Sequence, residues 1–144
     1  MSVSRNASVV WNGNLLEGQG QVSFDSSNIG TFSVSWPARS QEPNGMTSPE
    51  ELIAAAHASC FSMALSNGLA KAGTPPTTLH TQAKVDFTPG VGITGIALSV
   101  QGQVPGITAE MFAEAAQTAK ANCPVSQALA AVPITLAAAL MSSD

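Results

Sequence analysis

The sequence predicts an α+β fold with antiparallel sheet, and three observations carry that expectation. Segments of strand and helix character fall in the order βββ-α-ββ-α-β, with strands grouped rather than each followed by a helix. A helical stretch of more than twenty residues lies in the middle, with a start and a stop signal at its ends. Length and composition then fit a single domain over residues 1–144. With 44% apolar residues, a chain of 144 residues has enough to form a core without metal or disulfide staples. A monomer of this size buries roughly two-thirds of the surface its unfolded chain exposes.

Residues 7–36 read as strands joined by turns. Asn12-Gly13 is a tight-turn signal. Phe32, Val34 and Trp36 alternate with Ser33 and Ser35, the period of a half-buried strand. Pro37, Pro43 and Asn44-Gly45 make 37–48 a loop. Ser48-Pro49-Glu50-Glu51 opens the long helix, with Ser48 as N-cap, Pro49 at the first helical position and Glu51 closing a capping box. The helix is expected to run to about Ala72 and to stop at Gly73 before Pro75-Pro76. Its middle, Leu52 to Leu65, is apolar on nearly every side, which predicts a buried central helix.

Two strands follow, at about 79–88 (Ala83, Val85 and Phe87 on one face) and 94–103 (Ile96, Leu98, Val100), separated by Pro89-Gly90. Thr108 caps a helix over 109–121 with Glu110 in its first turn. Cys123-Pro124 breaks it and starts a short helix through Leu129, and the alternation of Ile134, Leu136, Ala138 and Leu140 predicts a closing strand.

Charged residues are only 10% of the chain, against about 25% in ordinary soluble proteins. Two explanations stay open: an uncharged polar surface, or a surface covered by a second copy. The net charge is −4, and Arg5, Arg39, Lys71, Lys84 and Lys120 are scattered over the length. Without a basic patch, binding to nucleic acid or to an anionic membrane is not expected. The N-terminus lacks the apolar run of a signal peptide, and no stretch reads as the roughly 18 apolar residues that span a bilayer. The expectation is a soluble, cytoplasmic protein, where two cysteines serve chemistry more often than structure.

Cys60 falls in the middle of the long helix, and burial alone would make it an inert packing residue. Cys123, before Pro124, is placed as an N-cap, where backbone N–H groups favour a thiolate. The two lie 63 positions apart and could meet as a redox dithiol. His57, three residues before Cys60, shares its helix face. That leaves a polar niche near the core, a Cys–His dyad, or a zinc site with Cys60 and Cys123, although zinc needs three or four ligands. A reactive thiol in apolar surroundings needs a cation, since burial raises its pKa. The start of Cys60's own helix is about 15 Å away by rise. Arg39 is the best-placed cation on the approach to that helix.

The block Pro49-Glu50-Glu51-Leu52-Ile53-Ala54-Ala55-Ala56-His57-Ala58-Ser59-Cys60-Phe61-Ser62-Met63-Ala64-Leu65-Ser66 resembles the signature of the OsmC/Ohr family. Ala119-Lys120-Ala121-Asn122-Cys123-Pro124-Val125-Ser126-Gln127-Ala128-Leu129 resembles its second cysteine motif. Trp11-Asn12-Gly13 and Val104-Pro105-Gly106-Ile107 also fit, so the resemblance covers nearly the whole chain. His57 looks like the OsmC branch.

The resemblance implies antiparallel sheets wrapped around two central helices in an intertwined homodimer, with active sites at the subunit interface. It implies a thiol-dependent peroxidase, needing no cofactor, that reduces organic hydroperoxides and, more weakly, hydrogen peroxide in oxidative or osmotic stress. By motif position Cys60 matches the peroxidatic cysteine, Cys123 the resolving one, and Glu50 the acid that holds the active-site arginine. Arg39 matches the arginine of the OsmC branch, since Leu15-Leu16-Glu17-Gly18-Gln19 offers none in the Ohr position. A dithiol reductant is implied, for which the family suggests a lipoyl-bearing protein. Phe61, Met63 and Met46 are the expected members of an apolar substrate pocket. Glu50 and Cys60 are ten residues apart on one helix, roughly 15 Å. Glu50 of one subunit is therefore expected to support the site of the other. The alternatives are a dimeric binding protein for an apolar ligand and the His/Cys zinc site.

Overall fold

The computed structural model describes residues 1–141. The chain divides into two compact units, Met1–Leu52 and a second that starts at Ile53.

In the first unit β1 (Ser8–Asn12), β2 (Gln19–Ser23) and β3 (Thr31–Val34) form an antiparallel meander in the order β1-β2-β3. Asn12-Gly13 does end β1, with Gly13 at φ +97, a conformation only glycine adopts readily. The connection is nevertheless six residues, 13–18, and not a two-residue turn. The Asn14 side-chain oxygen accepts from the Glu17 N–H at 2.8 Å and its carbonyl from the Gly18 N–H at 2.9 Å, so the loop satisfies its own backbone.

Trp36 departs from the expected strand. It opens α1 (Trp36–Ser40), a short helix where a loop was expected. Ser35 caps it, accepting from the Ala38 N–H at 3.2 Å, and Pro37 falls in its first turn. A helix of barely more than one turn carries no periodicity, so the Ser-x-Pro capping pattern is its only local signal.

Helix α2 (Pro49–Lys71) starts and stops as its sequence predicts. Ser48 Oγ accepts from the Glu51 N–H at 3.1 Å. Glu51 does not complete the capping box; its carboxylate takes the Thr47 hydroxyl at 2.6 Å instead. At the far end the Thr74 N–H reaches the Leu69 carbonyl and the Gly73 N–H that of Ala70, with Gly73 at φ +89. This is the Schellman pattern for a glycine stop.

The second unit packs α2 and α3 (Ala109–Asn122) with a sheet of β4 (Thr78–Thr88), β5 (Gly92–Gln103) and β6 (Ile134–Leu140) in the order β4-β5-β6. Strands β4 and β5 are antiparallel, joined by the short 89–91 connection, while β6 runs parallel to β5. The sheet is therefore mixed, where a fully antiparallel one was expected. The physical reason is the connection: residues 104–133 hold α3 and α4 (Pro124–Ala128), long enough for the crossover that parallel neighbours require.

The core of this unit gathers Phe61, Leu65 and Leu69 of α2, Leu98 and Val100 of β5, and Phe112, Ala116 and Ala119 of α3. Gly102 of β5 is there for space. A Cβ at that position would stand 2.5 Å from the Phe112 ring, closer than any real Cβ contact.

Helix α2 is not buried all round within one chain. His57, Phe61, Leu65 and Leu69, spaced by four, make one fully buried stripe, while Ala55, Ala56, Ser59 and Met63 are exposed. An 18-residue window of this helix has mean hydropathy 1.3, with 22% of it buried. By length and composition alone α2 is able to cross a membrane, contrary to the reading that no stretch is long and apolar enough. Its capped ends and core stripe belong to a folded α+β domain.

Candidate active site

Each unit carries one cluster of the anticipated residues. In the first, Arg39 and Glu50 form a two-pronged ion pair. Arg39 Nε donates to both Glu50 carboxylate oxygens at 3.0 and 3.2 Å, and an Arg39 Nη donates to Oε2 at 2.8 Å. The Glu50 side chain is 8% exposed and that of Arg39 30%. Local structure sets both positions. Arg39 lies in the last turn of α1, and Glu50 in the first turn of α2, where the helix dipole favours a carboxylate. The forked geometry fixes the guanidinium plane, which lysine would not do. Arg39 also lines an apolar cavity of about 470 Å³, with Trp11, Leu15, Val22, Trp36 and Leu52 among its walls.

In the second unit Cys60 of α2 and Cys123, the residue between α3 and α4, are both free thiols, near enough that each shifts the other's ionisation. Cys60 is half-buried and lines a cavity of about 770 Å³ between α2 and α3, together with Met63, Ala64, Met111, Ala115 and Pro124. Cys123 is fully buried in the core cluster and does not line this cavity. A solute entering the cavity therefore meets the Cys60 sulfur.

The electrostatics of the pair are asymmetric. Burial pushes the Cys60 thiol up, more than the Val125 N–H pulls it down, and hydrogen bonding to Cys123 and the charge there raise it further. Burial also works against the Cys123 thiolate, but here it is outweighed. The Ser126 N–H, the Cys60 thiol, the Ser126 hydroxyl and the Val125 N–H together bring Cys123 below its ordinary value. These groups are turned toward the sulfur without closing a full cap hydrogen bond.

Behind the thiols stands His57, fully buried. Its Nε2 lies 2.7 Å from Ser126 Oγ, and its Nδ1 has no hydrogen-bond partner among the described residues. Burial lowers its pKa. An unpartnered buried nitrogen costs on the order of 1–3 kcal/mol, so the position is maintained against a penalty. Ser126 was not singled out by residue reasoning. Its signal was local: the third residue after an N-cap faces back toward the cap.

Of the expected pocket members, Met63 lines the Cys60 cavity and is 71% exposed. Phe61 does not line it, because its ring is fully buried in the core. Met46 is half-buried in the first unit and lines neither cavity described here. Among the described residues no three His, Cys, Asp or Glu side chains gather as a metal site, so His57, Cys60 and Cys123 do not form the zinc site considered above.

This α+β frame therefore carries two free thiols, Cys60 open to a cavity and Cys123 buried. The chain belongs to the OsmC-like protein family, whose model matches residues 42–137. It is 43% identical over 134 residues to Peroxiredoxin OsmC of Escherichia coli (strain K12), covering 91% of this chain and 93% of that protein. Its fold is shared with the OsmC like protein from Mycoplasma pneumoniae, with TM-score 0.75, 14% identity and coverage of 99% of this chain and 100% of that one. It is shared too with the Organic Hydroperoxide Resistance Protein OhrB of Bacillus subtilis, with TM-score 0.71, 22% identity and coverage of 94% and 98%.

Proposed function

We propose that this chain, a cysteine-based peroxidase by family, reduces organic hydroperoxides through Cys60 and re-forms its thiols by way of a Cys60–Cys123 disulfide. The observation that carries the reading is the pairing of an accessible Cys60 with a buried Cys123. The Cys60 thiolate attacks the distal peroxide oxygen. An S–O bond forms, the O–O bond breaks, and the leaving oxygen takes a proton to become an alcohol. Cys60, now a sulfenic acid, is attacked by the Cys123 thiolate; the S–S bond forms, the S–O bond breaks, and hydroxide leaves as water. A dithiol, for which a lipoyl-bearing protein is the candidate, reduces the disulfide by exchange.

Cys60 needs a cation for the first step, because burial holds its thiol up. Arg39 is assigned that role, with Glu50 fixing its guanidinium, and would also stabilise negative charge on the leaving oxygen. In this reading the chain acts as one domain in a cytoplasmic homodimer, and Arg39 and Glu50 of one protomer complete the thiol pair of its partner. The exposed apolar side chains Val9, Val10, Trp11, Leu15, Leu16, Phe32, Met63 and Met111 support a second copy covering this surface. The apolar cavity walls support a preference for organic hydroperoxides over hydrogen peroxide, which binds with polar contacts alone.

The test is consumption of cumene hydroperoxide with a dithiol reductant by wild type, Cys60→Ser and Cys123→Ser. The Cys60 variant is expected to lose all turnover. The Cys123 variant should make one stoichiometric burst of alcohol without the disulfide. Equal background rates in all three proteins would overturn the assignment and leave a binding protein of the same fold.

A further inference from the structure

His57 has no part in the cycle just described, yet it is the polar side chain buried most deeply beside it. Its single partner is Ser126 Oγ, 2.7 Å away and 69 residues distant in sequence. Ser126 is the third residue after Cys123, the N-cap of α4, a position that faces back toward the cap, and its hydroxyl is among the groups that favour the Cys123 thiolate. A hydroxyl has one proton to give. If it is given to sulfur, the His57 Nε2 must be the donor to Ser126 Oγ, which places the ring proton on Nε2. The empty hydrogen-bonding capacity then falls on Nδ1 as a bare lone pair, and Nδ1 is the atom found without a partner. A tautomer with the proton on Nδ1 would bury an unsatisfied N–H and turn the serine proton away from sulfur toward Nε2.

We propose that His57 is a positioning residue for the disulfide-forming step, holding the Ser126 hydroxyl so that its proton points at the Cys123 sulfur. The inference rests on the reading of Cys123 as the resolving thiol. In the step itself Cys123 enters as thiolate, and its negative charge passes to the hydroxide that leaves Cys60 as the S–S bond forms. The Ser126 proton stays on Ser126 throughout, and the proton that Cys123 released to solvent on ionising neutralises the hydroxide to water. His57 keeps the attacking sulfur ionised before the step; it transfers nothing. Cys60 from α2 is the titratable group that faces the Cys123 sulfur directly, and His57 of the same helix acts through the serine.

The test measures Cys123 by itself first. In a Cys60→Ser background, ionisation of the buried Cys123 is followed against pH by the ultraviolet absorbance of its thiolate, with the rate of iodoacetamide alkylation alongside, for the parent, His57→Leu, His57→Gln and Ser126→Ala. Glutamine can place an amide N–H close to where Nε2 stands; leucine cannot. His57→Leu and Ser126→Ala are expected to move the curve to higher pH by about one unit, a roughly tenfold slower reaction near neutrality. His57→Gln should stay within about threefold of the parent. With Cys60 restored, stopped-flow mixing with cumene hydroperoxide should show sulfenic acid forming at the parent rate in all variants and disulfide forming about tenfold slower in His57→Leu and Ser126→Ala. An unmoved thiolate titration in both Ser126→Ala and His57→Leu overturns the inference, and a soluble, folded Ser126→Ala protein suffices if leucine disrupts the core. Failure of the underlying reading looks different: wild type would form no Cys60–Cys123 disulfide after one equivalent of hydroperoxide, whatever the alkylation curves do.

Discussion

At the scale of single residues, burial acts in opposite senses on the two thiols and on His57. It raises the Cys60 thiol, is outweighed at Cys123 by N–H and O–H donors, and lowers His57. The last has a consequence for stability. An unfolded histidine binds a proton near pH 6.5, whereas folded His57 resists protonation. Below that pH the unfolded chain therefore holds more protons, and stability is lost as pH falls through the interval beneath 6.5. Urea unfolding at pH 7.5, 6.5 and 5.5 should show wild type weakening by up to about 1.4 kcal/mol per pH unit in that interval relative to His57→Gln. Parallel pH profiles for the two proteins would mean that His57 protonates freely in the fold. How much of this was legible beforehand differs by residue. The thiols, Arg39 and Glu50 stood out through motif and residue type. The hydrogen bond from His57 to Ser126 joins positions 69 apart, and nothing local announces it.

Elements explain why the site residues face where they do. Ser35 and Pro37 form the short α1 that presents Arg39, and the Pro49 start of α2 puts Glu50 in a first turn. Pro124 ends α3 and begins α4, leaving Cys123 between them with N–H groups turned to its sulfur. The packing of α3, which leads to Cys123, against β5 depends on close approach at Gly102. Gly102→Ala should cost about 1–3 kcal/mol, since its methyl group must displace the Phe112 ring, and thermal unfolding should report it as a lower midpoint. A midpoint equal to wild type would show that Phe112 moves aside at no cost. Strand boundaries in β4, β5 and β6 followed from alternation, because half-buried strands write their period into the sequence. The one-turn α1 and the parallel direction of β6 did not, since neither leaves a periodic trace.

For the whole molecule, the question is what covers the apolar residues that one chain leaves exposed. Only 10% of the sequence is charged, and α2 buries one stripe while its remaining sides are largely alanine, serine and methionine. The proposed homodimer answers this and predicts a result that no single-chain enzyme would give. Arg39→Met protein keeps Cys60, and Cys60→Ser protein keeps Arg39; each alone is expected to be inactive. Unfolded together and refolded as a mixture, they should recover about a quarter of wild-type activity, because half the dimers are mixed and each mixed dimer has one complete site. Recovery of no activity, with both proteins folded and dimeric, would place Arg39 and Cys60 of the same chain together instead.

The sequence by itself determined most of the elements, their order, the family and which cysteines, arginine and glutamate are the candidates for the site. These depend on capping, periodicity and residue chemistry within short windows of chain. Only the tertiary structure decided which thiol is reachable and which is buried, that β6 lies parallel to β5, and that Ser126 stands between His57 and Cys123. Those properties come from contacts between segments far apart in the chain, where burial and the count of available protons, rather than local pattern, set the outcome.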